Sequence, residues 1–488
     1  MPKLHIEPQN LDIVVSPGTN LLSALRDAHV FLDAPCGGSG KCGKCKVRIG
    51  GREALACQIS VDSDITVTVP SGLEPNALQA GIHARQRIDP HKEGDLLAFD
   101  IGTTTVVCYL LDGKTGAEKA KSSMLNPQTA FGADVISRIR AALEGELERQ
   151  TKAIRDAMTG LIIQVCGSAQ TAPEQIGVVS VVGNPAMQQL FLGISPENLA
   201  AVPFHPALTE AAVVPCREIL PICSHADLLI VPDISGYIGA DTLGCVLATE
   251  LYRQKEITLL VDIGTNGEMV LGNRDRMIAC STAAGPALEG ANIQCGMRGT
   301  AGAIDHVWQE DGQLRYSVIG GGTPVGICGS GLIDAIAVSL NTGLLNKRGR
   351  IQNGERIIRI ADSVILTQND IRQVQLAKGA IYAGIVLMAK QLGLAAADIQ
   401  KVQLAGAFGN YLDPQNACRI GLLPEELLDR MEPVGNTAGS GAKMLACDGK
   451  LLPLTQKLAE RIEFLELGSL PEFARTFAKA MNFREEDR

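Results

Sequence analysis

Four cysteines stand close together near the start of the chain. Cys36, Cys42 and Cys45 lie in the run Ala34-Pro-Cys-Gly-Gly-Ser-Gly-Lys-Cys-Gly-Lys-Cys, and Cys57 follows a short way beyond. The spacing is Cys-x5-Cys-x2-Cys and then a fourth thiol. Small residues between the thiols let the backbone wrap around a compact inorganic centre and aim N–H groups at its sulfurs. That arrangement reads as an iron–sulfur cluster held by four thiolates, and so as one-electron chemistry. A structural zinc ion takes the same ligands, but zinc ribbons divide them into two Cys-x2-Cys knuckles and here one pair has that spacing. A disulfide framework fits less well, because Met1-Pro-Lys-Leu-His-Ile-Glu opens with strand-like alternation rather than a signal peptide. Such a chain is expected in a reducing cytoplasm, where thiols serve metals or redox chemistry.

A second kind of chemistry is written twice further on. Leu96-Leu-Ala-Phe-Asp100-Ile-Gly102-Thr103-Thr104-Thr105 is an apolar strand that ends in Asp, then Gly, then hydroxyls. Leu259-Leu-Val-Asp262-Ile-Gly264-Thr265-Asn266-Gly267-Glu repeats the pattern a domain's length later. Glycine lets backbone N–H groups approach phosphate oxygens, and the hydroxyls add hydrogen bonds. The strand-end carboxylates Asp100 and Asp262 are the candidate catalytic residues. One of them would hold a hydrated Mg²⁺, which prefers few carboxylates and several waters, or orient the attacking water. One such hairpin is weak evidence, whereas two after apolar strands at a domain-sized interval are strong evidence. A third apolar strand runs into Gly406-Ala407-Phe408-Gly409, which taken alone is an ordinary helix entry. Gly320-Gly-Gly-Thr-Pro, with Gly329-Ser-Gly331 after it, reads equally as a phosphate-near loop or a turn that starts a helix.

The elements that must position these residues are legible in outline. Leu4 and Ile6, then Leu11, Ile13 and Val15, alternate as two half-buried strands, and Ser16-Pro-Gly-Thr turns into a short helix over 20–30. Val47 and Ile49, a Gly50-Gly51 hairpin turn, and an alternating strand at Ile65, Val67 and Val69 follow the thiols. This pattern resembles the β-grasp fold of the [2Fe-2S] ferredoxins, although the five-residue first gap and the short last gap depart from the plant type. Residues 83–95 are polar, contain a proline and lack periodicity, as a linker does, either mobile or fixed on the surface. Val135, Ile139, Leu143 and Leu147 recur at helical spacing and read as a core-facing stripe. The ten other cysteines show no ligand spacing and read as buried small hydrophobes.

The paired hairpins resemble those of the superfamily of sugar and acetate kinases, actin and heat-shock chaperones, in which two RNase-H-like lobes clamp ATP. The resemblance implies that Gly102, Thr103, Thr104 and Thr105 face phosphate from one lobe, and Gly264, Thr265, Asn266 and Gly267 from the other. It makes Gly406, Ala407, Phe408 and Gly409 the adenosine contact, Gly183-Asn184-Pro185 the first connecting segment, and Gly435 to Gly441 the second. The domains expected are a ferredoxin-like unit over 1–82, a linker over 83–95, one lobe over 96–257, and a second over 258–488 with a C-terminal return to the first.

A cluster domain joined to such an ATPase is sensible where an electron must travel uphill, since ~100 mV costs about 2.3 kcal/mol. The whole resembles the reductive activators of corrinoid proteins, including the runs Asn126-Pro-Gln-Thr-Ala-Phe-Gly-Ala-Asp134-Val-Ile-Ser-Arg138 and Asp262 to Glu268. Some members carry an extra domain between linker and ATPase, and here the phosphate hairpin follows the linker almost at once. The resemblance implies a [2Fe-2S] cluster, ATP and Mg²⁺ as cofactors. It implies a corrinoid protein of a methyltransferase or O-demethylase system as the partner, a low-potential electron donor, and a homodimer. Co(II) would be returned to Co(I). Three rivals stay open: a dehydratase-type activator, a small-molecule kinase with a redox-sensing domain, and a redox switch that binds nucleotide without turnover.

Composition bounds the rest. The 488 residues leave room for two to four domains, and 46% are hydrophobic. A net charge of −9 without a basic, aromatic-laced block argues against a nucleic-acid partner, and the lack of a long unbroken apolar run argues against a membrane one.

Overall fold

Alternation sets the first sheet. In this computed structural model, which describes residues 1–8, 10–28, 30, 32, 38, 40, 45–69, 87–409 and 411–484, five short strands order as Leu11–Val14, Lys3–Glu7, Ile65–Thr68, Lys46–Ile49 and Arg52–Leu55. Lys3–Glu7 runs antiparallel to Leu11–Val14 and parallel to Ile65–Thr68. The Gly50-Gly51 turn has φ of +56° and +80°, the paired left-handed conformation that a two-residue hairpin requires. Helix Leu21–Asp27 covers one face and buries Leu21, Leu22 and Leu25 against Leu4, Ile6 and Val67. This is the β-grasp arrangement.

The rest of the described chain repeats one topology twice. In the first lobe the order is Glu118–Leu125, Thr105–Leu111, Asp95–Ile101, Ile176–Gly183, Asp227–Ile230 and Ala212–Pro215. Three strands form an antiparallel meander, and two more add in parallel beside its first strand. The second lobe repeats this as Met277–Thr282, Gly267–Gly272, Thr258–Ile263, Lys401–Ala405 and Met431–Gly435, with the edge strand Ile462–Phe464 beside Met277–Thr282.

Helices Ala240–Ala248 and Thr437–Cys447 lie between the two sheets. They touch backbone to backbone: a Cβ on Gly441 would sit 2.2 Å from the Gly244 carbonyl oxygen. Leu147–Ala169 covers the outer face of the first lobe, and Gly329–Asn341 and Gln368–Gln391 cover that of the second. The next helix, Leu451–Arg461, still touches the first lobe through Gln456, which bonds Ala211 N–H (2.7 Å) and the Thr209 carbonyl (3.2 Å), and the last helix, Phe473–Ala480, packs on Gln368–Gln391 of the second. Among the described residues no helix is long and apolar enough to cross a membrane.

One sequence expectation changes, and the others resolve within the alternatives the sequence leaves open. The Val135–Leu147 stripe breaks at Leu143, which is 46% exposed. Gly145, at φ +107°, kinks the chain between the helices Val135–Ala141 and Leu147–Ala169 and turns Leu143 outward, while Ala142 and Leu147 take the inner positions. The linker is docked from residue 87 onward: Asp89 bridges to Asp448, and Lys450 Nζ lies 2.8 Å from the Asp89 carboxylate. Gly320–Gly322 make a surface turn at φ +76°, +73° and +84°, and Gly329 opens a helix. Of the ten other cysteines, nine are buried and Cys295 is half-buried.

Candidate functional site: a cluster loop and a two-lobed nucleotide cleft

Cys36 and Cys42 lie outside the described residues. Cys45 and Cys57 are side by side, and Cys45, 1% exposed, has its thiol pushed up by burial and by the neighbouring Cys57. Two thiols so close in an apolar setting favour their anionic form only once a cation joins them, which fits a metal centre. The backbone around them is tied by Ala56 N–H to the Cys45 carbonyl (2.8 Å) and by Asn20 Nδ2 to the Cys57 carbonyl (2.9 Å). Gly38, at φ +101°, would bring a Cβ to 3.7 Å from that of Cys57, an ordinary van der Waals contact. These residues fit a [2Fe-2S] cluster.

In the ATPase, the period of two decides where the carboxylates go. Leu97, Phe99 and Ile101 face the outer helices, whereas Leu96 and Ala98 face the central layer, and Asp100 continues the inner row. Leu259, Val261 and Ile263 face outward and Leu260 inward, so Asp262 is inner as well. The two carboxylates therefore face each other across the cleft. Burial pushes Asp100 up to about 7, against the lowering hydrogen bond from Asn436 and with a further rise from Asp262. Burial pushes Asp262 up to about 6, with Cys245 lowering and Glu289 raising it. Asp241, at the start of the Ala240–Ala248 helix, rises to about 7 through burial and the charges of Asp262 and Asp100. Glu268 is also raised well above its usual range by burial, with Asp241 and Asp262 adding to it.

Each hairpin is closed by one backbone bond, Gly102 N–H to the Thr105 carbonyl and Gly264 N–H to the Asn266 carbonyl, both 2.9 Å. Thr103 Oγ1 accepts from Asn184 Nδ2 at 3.1 Å, and Asn126 Nδ2 donates to the Gly102 carbonyl at 2.8 Å. The fully buried Arg138 donates to the carbonyls of Thr103 and Gly132, and burial lowers it to about 9. Thr104 Oγ1 reaches the other lobe, 3.3 Å from Thr265 Oγ1. Thr105 and Gly267 sit in the strands that leave the two turns.

Asn436 links the pieces: its side chain caps the Thr437–Cys447 helix by accepting from Gly439 N–H (2.7 Å) and donates to Asp100 Oδ2 (2.8 Å). Cys245 Sγ lies 3.7 Å from Asp262 Oδ2 and accepts from Thr437 Oγ1 (3.0 Å). Gly406 begins a single helical turn, Gly406–Gly409, that also contains Ala407 and Phe408. Gly406 has φ +80°, and a Cβ there would lie 2.7 Å from Asp262 Oδ1; one on Gly409 would lie 2.8 Å from the Leu404 carbonyl oxygen. Backbone without side chains thus lies directly against the second carboxylate.

Among the described residues no three Asp, Glu, His or Cys side chains converge closely enough to hold a metal alone. A Mg²⁺ in this cleft would draw most of its ligands from water and phosphate, as that ion commonly does.

The sequence-derived residues Asp100, Thr104, Asp262, Gly264, Thr265 and Gly406 come together here. Asp241, Cys245 and Glu289 were not among them. Cys245 is buried, as a small hydrophobe is, and also lies against Asp262. No local pattern marks these three residues. The capping role of Asn436 is legible from Asn before a helical run, but its bond to Asp100 is not.

Comparison with known proteins agrees with this architecture. Family models match the chain in three consecutive parts: "2Fe-2S iron-sulfur cluster binding domain" over 4–62, "RACo middle region" over 96–254, and "C-terminal domain of RACo the ASKHA domain" over 256–488. A protein of Eubacterium limosum named "Corrinoid activation enzyme RamQ" is 39% identical over 410 residues, covering 78% of this chain and 69% of that protein. The "[Co(II) methylated amine-specific corrinoid protein] reductase" of Methanosarcina barkeri is 28% identical over 398 residues, covering 75% and 72%. The solved structure of a "Reductive activator for corrinoid,iron-sulfur protein" superposes with a TM-score of 0.76 at 29% identity, covering 100% of this chain and 99% of the other.

Proposed function

The chain belongs to the family of RACo-type reductive activators of corrinoid proteins, and from that premise we propose that it is an ATP-hydrolysing electron-transfer activase. It returns an inactive Co(II) corrinoid, bound to a partner protein of a methyltransferase or O-demethylase system, to Co(I). The step is the addition of one electron to cobalt, and a low-potential donor replaces that electron. Cys36, Cys42, Cys45 and Cys57 would hold the cluster, which would supply electrons one at a time. We place the protein in the cytoplasm, and a homodimer is part of the same reading.

The observation that carries the reading is the meeting of Thr104 and Thr265 across the two lobes, 3.3 Å apart, in a chain that also carries a cluster domain. Hydroxyls and backbone N–H groups of both hairpins take the phosphates of ATP. Asp100 and Asp262 are held by Asn436 and Cys245 and are raised by burial, so a cation entering with the nucleotide favours their charged forms. One of them positions the cation, or the water that attacks phosphate. Gly406 and Gly409 let the adenosine lie on bare backbone. Nucleotide binds one arrangement of the lobes better than the other, and that difference is what drives the redox domain. The Gly244–Gly441 contact is the pivot, because backbone packed on backbone can roll without repacking large side chains.

The test is anaerobic and optical. Purified protein, a Co(II) corrinoid protein of this type and a low-potential reductant are mixed with and without Mg-ATP, and the Co(I) absorbance is followed. Co(I) that forms with ATP and not without it is the expected result. Co(I) at equal rates in both arms would refute nucleotide drive. A reducible cluster that yields no Co(I) with any such partner would favour a dehydratase-type target.

A further inference from the structure

Glu289 is the last residue of a short 3₁₀ turn, Pro286–Glu289, that follows the strand Met277–Thr282. The turn is firmly held. Ala287 and Leu288 are buried in the core of the second lobe, Gly290 N–H bonds the Ala287 carbonyl (3.0 Å), and Ala291 N–H bonds that of Pro286 (3.1 Å). Gly290 adopts φ +79°, and a Cβ there would lie 2.5 Å from the Met297 carbonyl oxygen, so the backbone is closely boxed in. The carboxylate is therefore presented from a rigid base.

That carboxylate stands at the mouth of both phosphate hairpins. Its Oε2 accepts from Thr265 Oγ1 at 2.9 Å and from Thr104 Oγ1 at 3.3 Å, while Oε1 lies 3.9 Å from where a Cβ on Gly264 would be. One anionic oxygen thus takes a hydroxyl from each lobe, which is what a phosphate oxygen of a bound nucleotide would do. Thr103 Oγ1 instead accepts from Asn184 Nδ2 within its own lobe (3.1 Å). The charge of Glu289 also opposes a polyphosphate entering the same space.

We infer that Glu289 is a phosphate surrogate: in the nucleotide-free protein it latches the two lobes through Thr104 and Thr265, and nucleotide phosphate displaces it. This rests on the reading of the cleft as a nucleotide site. The latch makes nucleotide entry and release of the interlobe contact a single event, so phosphate arrival is sensed by both lobes at once. It also sets affinity, since each binding event must first break two hydrogen bonds to a charged acceptor.

The experiment uses the full cluster-loaded protein and its Glu289→Ala and Glu289→Gln variants. Binding of a fluorescent ADP analogue is titrated in EDTA, and amide hydrogen exchange of residues 101–106 is followed without nucleotide. The expected result is about ten-fold tighter binding in Glu289→Ala, equivalent to ~1.4 kcal/mol. A smaller gain is expected in Glu289→Gln, which keeps an acceptor but loses the charge. Exchange at 101–106 should quicken in Glu289→Ala. Unchanged or weaker binding in both variants would overturn the latch. If the alanine variant does not fold, as judged by its cluster absorbance and melting, the glutamine variant alone decides between a gain and no gain. Wild-type protein that binds neither ADP nor a non-hydrolysable ATP analogue, with or without Mg²⁺, would instead overturn the nucleotide reading itself.

Discussion

Gly406→Ala separates backbone strain from damage to the site. At φ +80° an alanine pays about 1–2 kcal/mol relative to glycine for entering the left-handed region. Its Cβ would also lie 2.7 Å from Asp262 Oδ1, where ordinary contacts begin near 3.4 Å, so the carboxylate or the turn must retreat by about 3.4 − 2.7 = 0.7 Å. A misplacement approaching 1 Å at a reacting centre costs up to about a hundred-fold, so a loss of roughly ten-fold or more in ATP turnover is expected. Gly343→Ala is the control: φ is +74° there, with nothing within 4 Å of the added Cβ. Both variants carry a similar strain and should lose a few degrees of melting temperature at most. Steady-state phosphate release, measured beside the visible spectrum of the cluster, reads the difference. Turnover should collapse in Gly406→Ala and hold in Gly343→Ala, with both cluster spectra intact. Equal turnover in the two variants would refute the claim that bare backbone against Asp262 matters to the chemistry.

Other consequences are open to direct test. Asp262→Asn should lower ATP turnover while leaving the cluster spectrum unchanged, whereas Cys57→Ser should do the reverse; turnover and absorbance on the same samples check both. Asp100 and Asp262 lie at about 7 and about 6 when folded, above the unfolded value of 3.8. Their contribution to stability is therefore complete below about pH 4 and lost as pH rises through 6 to 7. Nucleotide-free protein in EDTA should lose melting temperature over that window, and Asp100→Asn should flatten the slope relative to wild type; parallel slopes would count against the shift. Gly441→Ala should destabilise the ATPase by about 1–3 kcal/mol, since its Cβ would overlap the Gly244 carbonyl. A denaturant midpoint equal to wild type would show that the two helices can separate freely.

Much of this protein is written locally. The thiol spacing points to a metal loop because three of the four candidate ligands, Cys36, Cys42 and Cys45, fall within ten residues. The period of two places Leu96, Ala98 and Asp100 on one face before any fold is known, and Gly50-Gly51 dictates its own hairpin. A repeated strand-Asp-Gly-hydroxyl pattern announces two lobes because each copy is a complete local structure. Local periodicity fails at Leu143, because Gly145 at φ +107° kinks the chain there and shifts the register of the helix that follows.

What tertiary structure alone decided are the partners. Asn436 meets Asp100 from 336 residues away, Thr104 meets Thr265 from 161, and Glu289 closes on both hydroxyls. The chain specifies which groups line each face. Which of those faces meet is set by the packing of the two sheets on the pair of helices between them, an outcome of burial over hundreds of residues that no short stretch encodes.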